Sequence, residues 1–200
     1  PDADILQGRT DAFVSEGNQL HSVQTYPAPG EFLQPVDLIF GAPVINGRIF
    51  RRRLFERAGP FDITYRYAAD REWLLRLCSA ATPPVCRGID QAIYRYRIHD
   101  GSMTLRQLPL RRLTIAQEHR RIAASLGNRP PGGRLQERNM LHAWRTRETL
   151  VGLAAALRAC DRHAALRLGW DLMAQPLDHL RLLHEARRLR RCYLDRLEAA

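Results

Sequence analysis

The run CRGIDQAIYRYRIH, residues 86 to 99, limits the fold of this chain more than any other stretch. Its second half alternates: Tyr94, Tyr96 and Ile98 fall on one face, and Ile93, Arg95, Arg97 and His99 on the other. A period of two suits a pleated strand with one packed face and one wet face, and a helix cannot sort the residues that way. The chain must therefore hold a sheet, and this strand carries His99 to its end. ADILQG and DAFVSEGNQLHSVQTY read as further short strands, the latter pair joined across Glu16-Gly17-Asn18, a composition that favours a hairpin.

Helical spacing interrupts these strands. In VINGRIFRRRLFERAGPFD, Phe50, Leu54 and Phe55 are spaced as on a helix that Gly59-Pro60 ends. APGEFLQP is a breaker-rich connection before it. In YRYAADREWLLRL a second short helix is expected over residues 71 to 80, with Asp70 at its doorway. An aspartate there serves either as an N-cap or as a catalytic base. From residue 108 onward the pattern is helical throughout. Ile115, His119, Ile122 and Leu126 step along one helix that stops at Gly127-Asn128, and Leu141, Trp144, Val151, Ala154 and Leu157 mark a second. His163 to Met173 make a third, and Leu182, Ala186, Leu189, Tyr193 and Leu197 a fourth, with Pro176 between them. Four packed helices are expected, with Trp144, Leu157, Trp170 and Leu189 in their apolar stripes. The chain thus divides near residue 105.

With 45% hydrophobic residues among 200, the chain can bury a core as one compact domain or slightly more. It has no apolar run near the roughly 20 residues that cross a bilayer and no basic-then-apolar leader, so it reads as soluble. Cys78, Cys86, Cys160 and Cys192 lie far apart with no Cys-x-x-Cys pair, which fits reduced thiols rather than a zinc site or a disulfide framework. Charge is uneven. Residues 1 to 104 hold 12 Arg against 12 acids, and residues 105 to 200 hold 19 Arg against 9, so the net +10 belongs to the second half. That excess would suit an acidic partner, an anionic membrane surface or nucleic acid. The absence of lysine among the 31 basic residues is equally what a nucleotide-composition bias would leave.

Between residues 47 and 104 the strings RRRLFERAGPFD, YAADREWLLRL and IYRYRIHDGSMT follow one another in an order that resembles the acceptor-side half of family-two glycosyltransferases. In that GT-A-fold family an Arg-Arg pair opens a helix ending in Gly-x-Phe-Asp, here Arg52, Arg53, Gly59, Phe61 and Asp62. A Glu-Asp pair whose aspartate is the base is similar to Ala69-Asp70. A terminal Tyr-Arg-x-His-x-x-Ser is similar to Tyr96, Arg97, His99 and Ser102. The resemblance covers about residues 1 to 104, and the helical tail, 105 to 200, matches nothing diagnostic. Ala69 stands where a glutamate is common and Ile63 where an acid usually follows; neither change removes the base.

The resemblance implies an α/β fold: the acceptor-side half of a GT-A domain followed by an all-α tail. It implies inverting transfer of a sugar from a nucleotide-sugar donor to the hydroxyl of a saccharide or lipid-linked acceptor, with Asp70 taking the hydroxyl proton. Arg52, Trp73, Arg97 and Ser102 would bind substrate, Trp73 by stacking on a sugar. His99 would be a metal ligand, and Arg97 and His99 would oppose the departing diphosphate near Asp70. The implied cofactor is divalent magnesium or manganese, held mostly by an upstream Asp-x-Asp motif. Asp2-Ala3-Asp4 has the right letters, but no strand precedes it. The first residue is Pro1, and the family's nucleotide-binding half has no counterpart here, so this chain alone is expected to be inactive. Without a Gln-x-x-Arg-Trp signature, transfer would be non-processive. A cytoplasmic location is implied, with peripheral membrane contact through the basic tail, and nucleic acid is the less favoured partner. The competing reading is a non-catalytic basic helical module that binds an acidic partner, anionic lipid or nucleic acid.

Overall fold

A computed structural model describes residues 2–17, 19–26, 34–41, 45–80, 82–99, 108–127, 135–174, 184–188 and 190–191. The expected sheet is present and is built on one long strand, β1 (Ile5–Glu16). β1 turns into β2 (Gln19–Tyr26) across a two-residue connection, with Glu16 opposite Gln19. Gly17 takes φ +59 there, the left-handed conformation that the hairpin signal asked for. β3 (Arg48–Phe50) pairs antiparallel with Ile5 to Gln7, and β4 (Cys86–Arg97) pairs parallel with Ile5 to Phe13. A strand has two edges. Because β4 overlaps both antiparallel partners along β1, β2 and β3 share the opposite edge end to end. The sheet is therefore four-stranded and mixed.

The β1–β4 ladder slips between Gln7 and Arg9. At Gly8 a Cβ would stand 2.7 Å from the Gln91 carbonyl oxygen and 2.7 Å from Ile93 Cγ1. Only glycine admits the bulging strand there.

Three short helices pack beside the sheet. α1 (Pro35–Phe40) has proline at its first position, as proline prefers, and the sequence reading did not include it. α2 (Arg53–Ala58) ends at Gly59, whose φ is +75. α3 spans Ala69–Cys78, two residues earlier than expected. The helix expected to contain Phe50 is corrected: Phe50 closes β3, and only Leu54 and Phe55 are helical. Two arginines on α3 finish the other two helices. Arg71 donates to the carbonyls of Leu38, Ile39 and Gly41 at the C-terminal end of α1. Arg76 donates to Ala58 and Pro60 at the end of α2 while Glu72 grips its guanidinium. Each guanidinium satisfies carbonyls that the short helix leaves open.

Asp4 belongs to the framework. Its carboxylate accepts from Arg53 Nε at 2.8 Å and from the Val85 amide at 3.0 Å, tying the start of β1 to α2 and to the approach of β4. Burial acts to raise its pKa, yet the Val85 amide and Arg53 outweigh it and hold the group below the usual aspartate value.

The second half forms α4 (Pro109–Gly127), α5 (Leu135–Arg158) and α6 (Arg162–Met173), with Asp161 capping α6 through the Ala164 amide at 2.9 Å. One buried cluster joins both halves: Ile5, Leu54, Trp73 and Leu77 pack with Ile122, Leu126, Met140 and Trp144. The division near residue 105 thus lies between elements but not between cores. Two expected stripe residues are corrected. Trp144 is fully buried, but Leu157 is 63% exposed and Trp170 is 70% exposed. The small second cluster under α6 is made of Ala164 and Leu168 against Leu113, Ala155 and Ala156. Residues 184–188 are helical with Ala186 buried; Leu182, Leu189, Tyr193 and Leu197 lie outside the described residues. No described helix is long and apolar enough to cross a membrane.

Candidate functional site

Asp70 is the second residue of α3 and is half-buried. The cap position is Ala68, which has no side-chain oxygen, so the N-cap reading of Asp70 is corrected. Its Oδ1 instead accepts from the Arg71 amide at 2.7 Å, and a carboxylate in the first turn opposes the positive end of the helix. The amides ahead of the helix are satisfied from far away. Glu118 on α4 accepts from Arg66 (2.8 Å) through Oε1, and from Tyr67 (2.9 Å) and Ala68 (2.9 Å) through Oε2. A capping-box glutamate does this work from the third helical residue, whereas here it comes from another helix.

Two arginines count Asp70 among their neighbouring charges, the buried Arg48 and the half-buried Arg71. Arg48 is 9% exposed, and its Nε donates to Gln7 Oε1 at 2.7 Å. Burial pushes its pKa down, and the charges of Asp70 and Asp37 are among those that counter the shift. Burial likewise lowers Arg71, with Asp70 the largest opposing influence and Glu148 next. Asp70 is therefore a counter-charge to two cations as well as a carboxylate with a solvent-reaching side. Arg71 links this cluster to a second one, in which His119 Nδ1 lies 3.1 Å from Glu148 Oε2 and Arg147 pairs with the other Glu148 oxygen. Burial lowers His119 below the ordinary histidine value despite Glu148, and His119 and the nearby arginines hold Glu148 low against its own burial.

The other residues singled out by sequence are dispersed. Trp73 is 0% exposed; its indole donates to the Gly59 carbonyl at 2.8 Å, and Phe55 stacks on it at 4.5 Å. Phe50 and Phe61 also contact it, so its ring faces are occupied by protein rather than open to a sugar. Arg52 is exposed at the start of α2 and pairs with Glu56 at 3.4 Å. Arg97 and His99 are exposed at the end of β4, as the alternation required. Arg48 faces Gln7 on β1, whereas Arg97 faces Phe13, six positions further along, about 20 Å on a regular strand. Arg97 and His99 thus lie toward the Phe13 end of the ladder, and Asp70 sits at the start of α3. Ser102 lies outside the described residues. Among the described residues no group of three or more His, Cys, Asp or Glu side chains is arranged to hold a metal.

Two depressions flank the helical half. One of about 520 Å³ is lined by Arg66 and Tyr67 of the Glu118-held loop and by Leu108, Pro109, Leu110 and Arg111. The other, about 850 Å³, lies between α4, α5 and α6, where Arg120, Arg121, Arg145 and Arg167 meet Trp170 and Asp171. Glu118, Arg71 and the His119–Glu148 pair were not singled out from sequence. The signal for Glu118 was an acid one turn before Ile122 on a core-facing helical stripe.

No family model, curated protein or solved structure matches this chain.

Proposed function

We propose that this chain is the acceptor-side part of an inverting, non-processive, nucleotide-sugar-dependent glycosyltransferase, and that Asp70 is its base. The observation that carries the reading is the setting of Asp70, a half-buried carboxylate in the first turn of α3. The loop before it is fastened by Glu118, and its negative charge is among those that counter the burial of Arg48 and Arg71. This setting falls on the residue that the ordered motifs of residues 47 to 104 single out.

In the reaction, an acceptor hydroxyl attacks the anomeric carbon in line with the departing nucleoside diphosphate. Asp70 accepts the hydroxyl proton as the new glycosidic bond forms and the bond to phosphate breaks. A positioned base contributes about 10²- to 10⁴-fold to such a step. In the family that the motifs resemble, a divalent ion would neutralise the diphosphate. Arg97 and His99, exposed at the end of β4, would meet the anionic donor. Arg52, exposed beside Glu56, would contribute to acceptor binding only as the motif resemblance implies.

The test is direct. The protein expressed from its complete reading frame is incubated with magnesium or manganese and a panel of nucleoside diphosphate sugars, and released nucleoside diphosphate is measured with and without added saccharide or lipid-linked acceptors. Acceptor-dependent release supports the reading; none with any donor would count against it. A second reading has one observation in its favour, the four arginines around the groove at Trp170. It makes the helical half a module for an acidic partner or an anionic lipid surface, and predicts salt-sensitive binding that Arg145→Ala with Arg167→Ala abolishes.

A further inference from the structure

We propose that Glu118 is the positioning residue of the reaction centre, so that the arginine-rich helical half is a working part of the site rather than an appended module. The inference rests on Asp70 being the base and extends that reading to a residue of α4.

Glu118 is 5% exposed and spends both carboxylate oxygens on three successive backbone amides, those of Arg66, Tyr67 and Ala68. Hydrogen bonds to an ionised acceptor are the stronger kind, and three of them repay the burial of the charge. Ala68 is the cap residue of α3, two positions before Asp70. A shift of the Ala68 peptide is therefore passed on to the carboxylate with little chain in between to absorb it. The loop has modest means of its own: Asp62 accepts from the Thr64 and Tyr65 amides, through its side chain at 2.9 Å and its carbonyl at 3.2 Å.

α4 supplies the rest of the grip. Arg121, three residues after Glu118 and on the same helical face, donates to Thr64 Oγ1 at 3.2 Å and lies 4.7 Å from the centre of the Tyr65 ring. The next residue, Ile122, is 0% exposed in the cluster that holds Trp73 and Leu77. The core thus fixes α4, α4 fixes the loop through Glu118 and Arg121, and the loop fixes the start of the helix that bears Asp70. A reacting group displaced by about 1 Å can lose on the order of 10²-fold in rate, so such a chain of contacts has a kinetic consequence beyond stability.

Glu118→Gln keeps the size of the side chain but replaces one acceptor oxygen with an amino group that faces backbone donors. In the chain described here, amide hydrogen exchange should then accelerate at least tenfold at residues 66 to 68 while Leu74 to Leu77 and the centre of β1 keep their protection. Uniform acceleration would make Glu118 a general stabiliser and overturn the proposal. In the protein from the complete reading frame, assayed with UDP-glucose, UDP-N-acetylglucosamine, GDP-mannose and dTDP-rhamnose, Glu118→Gln should lower kcat about 10- to 100-fold with donor KM unchanged. Glu118→Asp should fall between it and the unaltered protein. In an Asp70→Asn background, Glu118→Gln should cost less than a further twofold, because both act at one step; independent, multiplying losses would overturn the proposal. Full turnover in Asp70→Asn itself would remove the base, and with it any catalytic purpose for Glu118. Localised exchange would in that case still identify Glu118 as the fastener of the loop, so the two failures are distinguishable.

Discussion

The Glu118 carboxylate takes the Ala68 amide at 2.9 Å across 50 residues of sequence, joining α4 to the cap of the helix that carries Asp70. With the shared core around Trp73 and Trp144, it makes the two halves one folding unit. A fragment ending at residue 105 would lose Ile122, Leu126, Met140 and Trp144 from that cluster. Burial of each such side chain contributes roughly 1.5–3 kcal/mol, a sum comparable to the whole stability of a domain. The fragment should lack a cooperative thermal transition and the near-ultraviolet circular dichroism of the full chain. A sharp transition would mean that residues 1 to 105 fold alone.

The His119–Glu148 pair gives stability a pH dependence. His119 has its folded pKa lowered below the ordinary histidine value, chiefly by burial. The unfolded chain therefore binds a proton that the folded chain refuses, and stability is lost as pH falls below about 6.5. Glu148, also held low in the fold, extends the loss below the ordinary glutamate range. Denaturant midpoints should drop between pH 7.5 and 5, and His119→Gln should flatten the histidine part of that slope. An equal slope in the variant would show that other groups set it.

Gly8→Ala places a methyl group against the Gln91 carbonyl and Ile93, neither of which is a flexible chain end. Overpacking of this kind costs about 1–3 kcal/mol. The midpoint should fall accordingly, whereas Gly169→Ala, where nothing lies within 4 Å, should be neutral or slightly stabilising. Equal effects would mean that the β1–β4 slip is not fixed by Gly8.

Much of this was readable in the residues. The hairpin at Gly17, the alternation of β4, the end of α2 at Gly59 and the three long helices all follow from local spacing and turn chemistry, which act between neighbours. Pairing between distant segments has no such local mark. The parallel register of β4 on β1, the placement of Phe50 in β3 and the short α1 depend on tertiary contacts. Trp170 and Leu157 sit at helical spacing yet face outward, because spacing fixes relative faces but not which face meets the core. The site divided in the same way. Asp70 stood out by motif. Its companions Arg48 and Arg71 and its distant fastener Glu118 did not, since an arginine or glutamate looks the same in sequence whether solvated or buried.

Removing Arg71 tests the interior charge cluster. Arg71→Met keeps the stem but leaves the carbonyls of Leu38, Ile39 and Gly41 without their donor and Asp70 without one of its counter-charges. Breaking a buried charged network from one side costs about 3–5 kcal/mol. Arg52→Met, at the exposed end of α2, should change stability by less than about 0.5 kcal/mol. Comparable losses in the two variants would contradict the assignment of Arg71 to the interior.

The central claim is that Asp70 is a base, and Asp70→Asn tests it most directly. Asparagine keeps the size and an oxygen for the Arg71 amide but cannot take a proton at neutral pH. It also withdraws a charge from beside Arg48 and Arg71, so the thermal midpoint is measured on the same samples and turnover is assayed well below it. In the protein from its complete reading frame, acceptor-dependent release of nucleoside diphosphate should fall by about 10²- to 10⁴-fold while donor binding is unchanged. Near-normal turnover in a folded Asp70→Asn variant would contradict the account and leave Asp70 as a counter-charge to Arg48 and Arg71 alone.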